Sequence, residues 1–265
     1  MATRPQPLCD LSLARLAAVC GVFTDIDDTL TAEGGLEPAA LAGLQSLRAA
    51  GLPVIAITGR PMGWSLPFAL AWPVAAIVAE NGAVALIRSG SALLTEYAQD
   101  EATRLRNADR LRAVSAMVLR EVPGATLAQD SPGRVTDIAI DHSEFTVLNA
   151  ASIAHAVAVM QREGMNATVS SIHINGWFGE HSKLSGARWM LQRLFGRELD
   201  AEVERWVYVG DSTNDQAMFS HFPLSVGVAN LRDFAEQLHT WPAYITEGER
   251  GAGFAEVAAR LLSRT

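Results

Sequence analysis

Asp25 and Asp27 stand two residues apart at the end of an apolar run, Val22-Phe23-Thr24, and a third carboxylate follows in Asp28-Thr29. An aspartate carboxylate can attack phosphorus and form an acyl phosphate, dividing one hard displacement into two easier ones. A second aspartate beside it can protonate the leaving oxygen and later deprotonate the attacking water. Alone, an Asp-x-Asp pair reads more readily as a helix N-cap or a loop carboxylate cluster. Three further stretches tip the reading toward chemistry: Ile57-Thr58-Gly59-Arg60, Ser182-Lys183-Leu184, and Tyr208-Val209-Gly210-Asp211-Ser212-Thr213-Asn214-Asp215. Thr58 offers a hydroxyl and a backbone N–H to a phosphate oxygen, and Lys183 offers a point charge to the phosphate or to Asp25. Magnesium takes a few oxygen ligands plus water, which Asp25 and Asp211 would suit. Together these residues read as a magnesium-dependent phosphate-transfer site with an aspartate nucleophile.

Such groups meet only if the elements carrying them end on one edge. Residues 19–24, 53–58, 75–79, 206–210 and 224–229 are short apolar runs that read as strands buried on both faces. Helical spacing separates them, as in residues 38–50 through Leu41, Leu44 and Leu47, which end at Gly51. This alternation predicts an α/β fold, a Rossmann-like doubly wound parallel sheet, with ligands bound outside the carboxyl ends of the strands. The order breaks in the middle of the chain. A polar, Arg-rich helix over residues 99–122 is followed by strand-like residues 125–129 and 134–141, an Ala-rich helix over 149–163, and strand-like residues 166–178, as one bent strand or two. We therefore expect an inserted α+β cap domain at 97–179 between two parts of a core domain, 1–96 and 180–265.

The chain has 265 residues, of which 49% are hydrophobic and 19% charged, enough for a substantial core and against disorder. Its formal charge of −8 argues against nucleic acid as a partner. It is compatible with an anionic substrate, because a bound cation and a local base reverse the field inside a cleft. Cys9 and Cys20 are too few for a disulfide framework and read as free thiols. No secretory signal is evident, and Pro67 and Pro73 break the most apolar stretch, so a cytoplasmic location without a membrane span is expected.

The combination resembles the haloacid dehalogenase superfamily of phosphohydrolases. Asp25-Ile26-Asp27-Asp28-Thr29 matches its first motif, Thr58 the second, Lys183 the third and Gly210-Asp211-Ser212-Thr213-Asn214-Asp215 the fourth. The insert lies where type-two caps lie, and Glu80-Asn81-Gly82-Ala83 is similar to the type-two-B sugar-phosphatase branch, which acts on sucrose, trehalose and mannosylglycerate phosphates. The resemblance implies Asp25 as nucleophile and Asp27 as acid/base. It implies Mg²⁺ held by the Asp25 side chain, the Asp27 carbonyl and Asp211, with Thr58 and Lys183 on the phosphoryl group. Asp215 would support the metal's waters or Lys183, and Asn214 would face the phosphate or Lys183. Arg60 would reach the substrate or the cap, or close a salt bridge at a helix start.

Strand parity nominates residues for the cleft. Ser171, His173, Asn175 and Trp177 share one face and Ile172 and Ile174 the other; Asp137 and Asp141 likewise oppose Ile138 and Ile140. Sugar hydroxyls suit Asp, Asn and His, with Trp177 as a stacking surface; a solvated sheet face is the competing reading. His142, His155 and His181 show no metal-ligand spacing. Residues 246–253, with Gly248, Gly251 and Gly253, read as a mobile loop near the site or as a plain strand-to-helix connection. The expected activity is Mg²⁺-dependent hydrolysis of a small phosphate ester, most simply a sugar or polyol phosphate. The alternatives are a phosphomutase-like transferase and a non-catalytic sensor, which would not need both Asp25 and Asp27.

Overall fold

The computed structural model describes residues 4–263. A nine-stranded sheet runs, edge to edge, through Gln6–Pro7, Tyr244–Ile245, Leu224–Gly227, Trp206–Gly210, Gly21–Thr24, Val54–Ile57, Ala76–Ala79, Val84–Ser89 and Ala92–Tyr97. The first seven strands in that order pair in parallel; the last two form an antiparallel hairpin on the Ala76–Ala79 edge. The five strands expected from the sequence are the five central parallel ones, each within a residue or two of its expected ends. The hairpin was not foreseen. Its first strand, Val84-Ala85-Leu86-Ile87, continues the apolar character of the preceding strand, and Gly90 at φ +62° makes the reversal.

Alternation along the central strands explains why both faces are covered. Val22, Val54, Val207 and Val226 point to one side, where Leu44, Leu47, Phe254 and Val257 pack from the helices Pro38–Ala49 and Arg250–Leu262. Phe23, Ile55, Trp206 and Tyr208 point to the other, against Ala187, Met190 and Leu191 of Lys183–Phe195 and Met218 and Phe219 of Gln216–His221. A period of two with apolar residues at both phases is what a sheet sandwiched between helix layers requires.

A second, four-stranded antiparallel sheet is inserted between the two parts of this core, ordered Asn166–Val169, His173–Trp177, Asp137–Asp141, Thr126–Leu127. The run 166–178 is thus two strands, reversing through residues 170–172. Ile138, Ile140 and Ile174 bury against Val114 and Val118 of Glu101–Glu121 and Val159 and Met160 of Ala150–Arg162. The opposite face, carrying Asp137, His173, Asn175 and Trp177, is buried too, because it lies against the core.

The turn Glu80–Gly82 sits between the sheet and the helix that carries Lys183. Glu80 and Asn81 adopt left-handed backbone, φ +50° and +55°, and Gly82 has φ +105°. A Cβ on Gly82 would lie 2.1 Å from the Ser182 carbonyl oxygen, and one on Gly186 would lie 2.9 Å from the Gly82 Cα. Backbone meets backbone here, so nothing can rotate aside. Gly82→Ala is expected to destabilise the fold by about 2 kcal/mol or more, read as the shift in urea unfolding midpoint. A loss below about half that value would mean the contact is not tight.

Candidate active site

Asp25, Thr58 and Asp211 land at the carboxyl edge of the parallel sheet, because Gly21–Thr24, Val54–Ile57 and Trp206–Gly210 are adjacent and run the same way. The Asp25 amide donates to the Val209 carbonyl at 2.8 Å, which locks the two carboxylate-bearing strand ends together. Lys183, at the start of its helix and 5% exposed, places Nζ 2.9 Å from Asp25 Oδ1 and 2.7 Å from Asp215 Oδ1. It also donates to Asn214 Oδ1 at 3.2 Å. The helix start is fixed by a capping box in which the Ser182 and Ser185 side chains each bond the other's backbone N–H.

One carboxylate oxygen from each of Asp25, Asp211 and Asp215 lies within 4.8 Å of the other two, and all three residues are buried. Their hydrogen bonding differs. Asp215 is fully engaged: Oδ1 accepts from Lys183 and the Tyr208 hydroxyl, and Oδ2 accepts from the backbone of Asp211 at 3.0 Å and Ser212 at 3.2 Å. Asp211 accepts a long bond from the Thr29 hydroxyl on Oδ1, 3.4 Å, and its buried Oδ2 has no partner. Burial pushes the Asp25 carboxyl up, against the pull of Lys183, and Asp215 and Asp27 push the same way. Burial also pushes Asp211 up, reinforced by Asp25 and Asp215. Lys183 is desolvated, but the two aspartates raise it and keep it charged.

Asp27 faces a different partner. Its Oδ1 receives Arg60 Nε at 2.8 Å and its Oδ2 the Thr58 hydroxyl at 3.4 Å; Thr58 Oγ1 in turn accepts the Arg60 N–H at 2.9 Å. Of the options left open for Arg60, the structure places it in an ion-pair network reaching the inserted sheet's unit. Its guanidinium contacts Glu144 at 2.8 Å and Asp130 at 3.2 Å. Glu144 also meets His173 Nε2 at 2.9 Å. Burial pushes the Glu144 carboxyl up, but hydrogen bonds from His173 and Arg60 outweigh it and bring it down to about 2.

The residues nominated on the second sheet sit in other surroundings than a ligand cleft. Asp137 is clamped by Arg134, with Nη1 2.9 Å away, and burial lifts its carboxyl to about 7 despite that cation. Asn175 donates to Asp137 at 3.2 Å and to the Gly59 carbonyl at 3.3 Å, and Trp177 stacks on His181 and donates to the His181 carbonyl. Asp141 accepts from the backbone N–H groups of Ser143, Glu144, Phe145 and Thr146, shaping the loop that presents Glu144. Of the residues nominated from the sequence, Asp27, Arg60 and Asp211 line the cavity of about 450 Å³ above the carboxyl edge; Asp25, Thr58, Lys183 and Asn214 lie outside its lining, as do Asp137, Asp141, His173, Asn175 and Trp177.

Several residues at this junction carried no sequence signal. Glu144, Asp130 and Arg134 lie in loops with ordinary composition. Residues 246–249 join the strand Tyr244–Ile245 to the helix Arg250–Leu262, the plain strand-to-helix connection of the two readings, and Arg250 at the helix start lines the cavity. Glu80 was noticed only as part of a tetrapeptide. Fully buried, it accepts from the backbone N–H groups of Met62, Val135 and Thr136 and from the Thr136 hydroxyl.

Residues 22–112 match the family model for haloacid dehalogenase-like hydrolase. Among solved structures it is similar to a Thermoplasma acidophilum protein, with 14% identity over 92% of this chain and 98% of that one and a TM-score of 0.70. The Synechocystis sucrose-phosphatase solved with sucrose and phosphate aligns with 15% identity, 91% and 96% coverage and a TM-score of 0.64. A trehalose-6-phosphate phosphatase related protein aligns with 14% identity, 91% and 97% coverage and a TM-score of 0.59. At these identities the likeness is one of fold. No curated protein matches the chain. Among the described residues no helix is long and apolar enough to cross a membrane.

Glu80 ties the sheet edge to the inserted unit, accepting from the backbone of Met62 in the core and of Val135 and Thr136 in the insert. Glu80→Ala strands those donors in a dry junction, and a loss of about 3 kcal/mol or more is expected by chemical denaturation. Glu80→Gln, which keeps an acceptor, should cost less than Glu80→Ala; equal costs would mean that the donors find water.

Proposed function

We propose that the chain is an Mg²⁺-dependent phosphoric monoester hydrolase acting on a small phosphorylated metabolite, a sugar or polyol phosphate, with Asp25 as the nucleophile. The observation that carries this reading is the meeting of Asp25, Asp211 and Asp215 within 4.8 Å beside Lys183, under an open cavity. Three buried carboxylates against one ammonium leave two negative charges uncompensated, and the unpartnered Asp211 Oδ2 is an oxygen ligand in waiting. Both features fit a divalent cation with oxygen ligands, held by Asp25, Asp211 and, as the resemblance implies, the Asp27 carbonyl. When bound, that ion would neutralise charge developing on the phosphoryl oxygens.

The chain's own residues supply the remainder. Lys183 and Thr58 bind the phosphoryl group, while Asn214 and Asp215 hold Lys183 in place. Asp25 attacks phosphorus, forming the aspartyl phosphate as the ester oxygen departs. Asp27, oriented by Arg60 at 2.8 Å, gives its proton to that oxygen and then takes one from the water that opens the intermediate. Residues 97–179 act as a cap that shields these steps from bulk water. A cytoplasmic location belongs to this reading and is supported by the free Cys9 and Cys20.

Asp25→Asn should abolish turnover of p-nitrophenyl phosphate while leaving the unfolding transition in place; near-normal turnover would overturn the nucleophile assignment. Turnover without any bisphosphate activator separates hydrolysis from transfer to a sugar. A second test uses stability. With Asp25 and Asp211 raised in the folded state, the native protein holds protons that the unfolded chain has released. Without metal, its stability therefore falls as pH climbs above the ordinary carboxylate range. A cation relieves the repulsion and competes with those protons, so the rise in Tm on adding MgCl₂ should be larger at about pH 8 than at about pH 5.5. An equal or smaller rise at the higher pH would argue against a cation on these carboxylates.

A further inference from the structure

The cavity above Asp27 and Asp211 is where the alcohol part of a substrate would lie, and the charges on its wall are unbalanced. Asp28, Glu33, Glu144 and Asp233 contribute carboxylates there; Arg60 and Arg250 are the cations among its lining residues. Neither guanidinium is free. Arg60 is shared among Asp27, Asp130 and Glu144 at 2.8, 3.2 and 2.8 Å. Arg250 places Nε 3.0 Å from Asp28 Oδ1, without the alignment of a directed hydrogen bond. Asn230 fixes that pair from both sides: its Nδ2 donates to the Asp28 carbonyl at 3.0 Å and its Oδ1 accepts the Arg250 N–H at 2.9 Å. Asp28 and Arg250 both hold left-handed backbone, φ +52° and +49°, a conformation that costs energy in a non-glycine residue and so marks a wall held by its surroundings. Glu33 and Asp233 stand exposed at the mouth. Among the described residues neither makes an ion pair within 4.0 Å.

A phosphoryl group entering this cavity is drawn to Lys183 and to a cation on Asp25 and Asp211. Whatever is attached to it remains among the wall carboxylates. A second phosphate or a carboxylate there would meet Glu33 and Asp233 with no unpaired base to receive it, whereas hydroxyls find acceptors and an amine finds counter-charge. We propose that the leaving group is an uncharged or cationic alcohol, hydroxyl-rich or amine-bearing, and that esters carrying a second anionic group are rejected. This rests on the phosphate-ester hydrolase reading and narrows it to a charge class that the fold alone leaves open.

The test compares kcat/KM for matched esters with the Mg²⁺-loaded full chain, using p-nitrophenyl phosphate as a charge-neutral control. Glycerol 3-phosphate is set against 3-phosphoglycerate, and glucose 6-phosphate and glucosamine 6-phosphate against 6-phosphogluconate. In each set the uncharged or aminated ester should be favoured by about tenfold or more. Glu33→Gln and Asp233→Asn, at exposed positions where folding is not at stake, should each raise the ratio of anionic to neutral turnover by about threefold or more. Preference for the anionic member, or ratios unmoved by both variants, overturns the inference while turnover of p-nitrophenyl phosphate leaves the hydrolase reading standing. No turnover of any ester, the control included, overturns that reading and this inference with it.

Discussion

The ammonium of Lys183, buried between Asp25 and Asp215, is the interaction on which the site depends. Removing a lysine from water is costly unless charge and hydrogen bonds replace the solvent. Here the replacement comes from the ends of two different strands and from Asn214. The constraint works in both directions. Lys183 reaches the carboxylates only because its helix starts against the Glu80–Gly82 turn, where Gly82 and Gly186 let two backbones touch. The carboxylates tolerate burial only because Lys183 is there, and even so their charge is not matched. The surplus is concentrated on Asp25 and Asp211, since Asp215 spends both oxygens on Lys183, Tyr208 and two backbone amides. Asp215 therefore serves the lysine and the loop, and Asp211 keeps an oxygen free.

A second set of buried charges joins the core to the inserted unit. Asp27, Arg60, Asp130, Arg134 and Asp137 form a continuous series of ion pairs that begins at the carboxyl edge of the core sheet and ends on the second sheet. Glu144 and His173 branch from Arg60. Every guanidinium in this series serves two or more carboxylates, so moving the inserted unit away would expose several charges at once. The orientation of Asp27 is thereby coupled to the docking of residues some hundred positions later. Glu80 adds a neutral-donor anchor in the same junction, accepting from Val135 and Thr136 of the insert and Met62 of the core.

Much of this was legible in the chain because the signals are local. An apolar run closing in Asp25 and another closing in Asp211 predict strands ending at one edge, and period-two apolarity on both phases predicts helices on both faces. The parity of residues 137–141 and 173–177 also separates the isoleucine face from the polar one. Parity cannot say what covers the polar face. Asp137, Asn175 and Trp177 looked toward a ligand in the sequence; in the fold Asp137 and Trp177 meet Arg134 and His181, three and four residues away, and Asn175 meets Gly59, 116 residues away. Glu144, Asp130 and Arg250 were invisible for the same reason, since an acidic or basic residue in a polar loop looks alike whether it is solvated or lies against a partner seventy or two hundred residues away. The terminal hairpin was missed because an antiparallel edge strand and a buried parallel one share the same apolar run.

The two charge groups come together near Asp27, and that junction explains why Asp27 differs from Asp25, its neighbour two residues earlier. Asp25 points to the lysine side, where the surroundings hold surplus negative charge; Asp27 points to the arginine side, where a guanidinium bonds it at 2.8 Å. Adjacent odd positions at a strand end would share a face if the strand continued. The chain leaves strand geometry after Thr24, and the left-handed backbone at Asp28 turns it back before Thr31. Two carboxylates of identical chemistry are therefore delivered into unlike fields by a loop of a few residues. What distinguishes Asp25 from Asp27 is thus their surroundings and not their residue type.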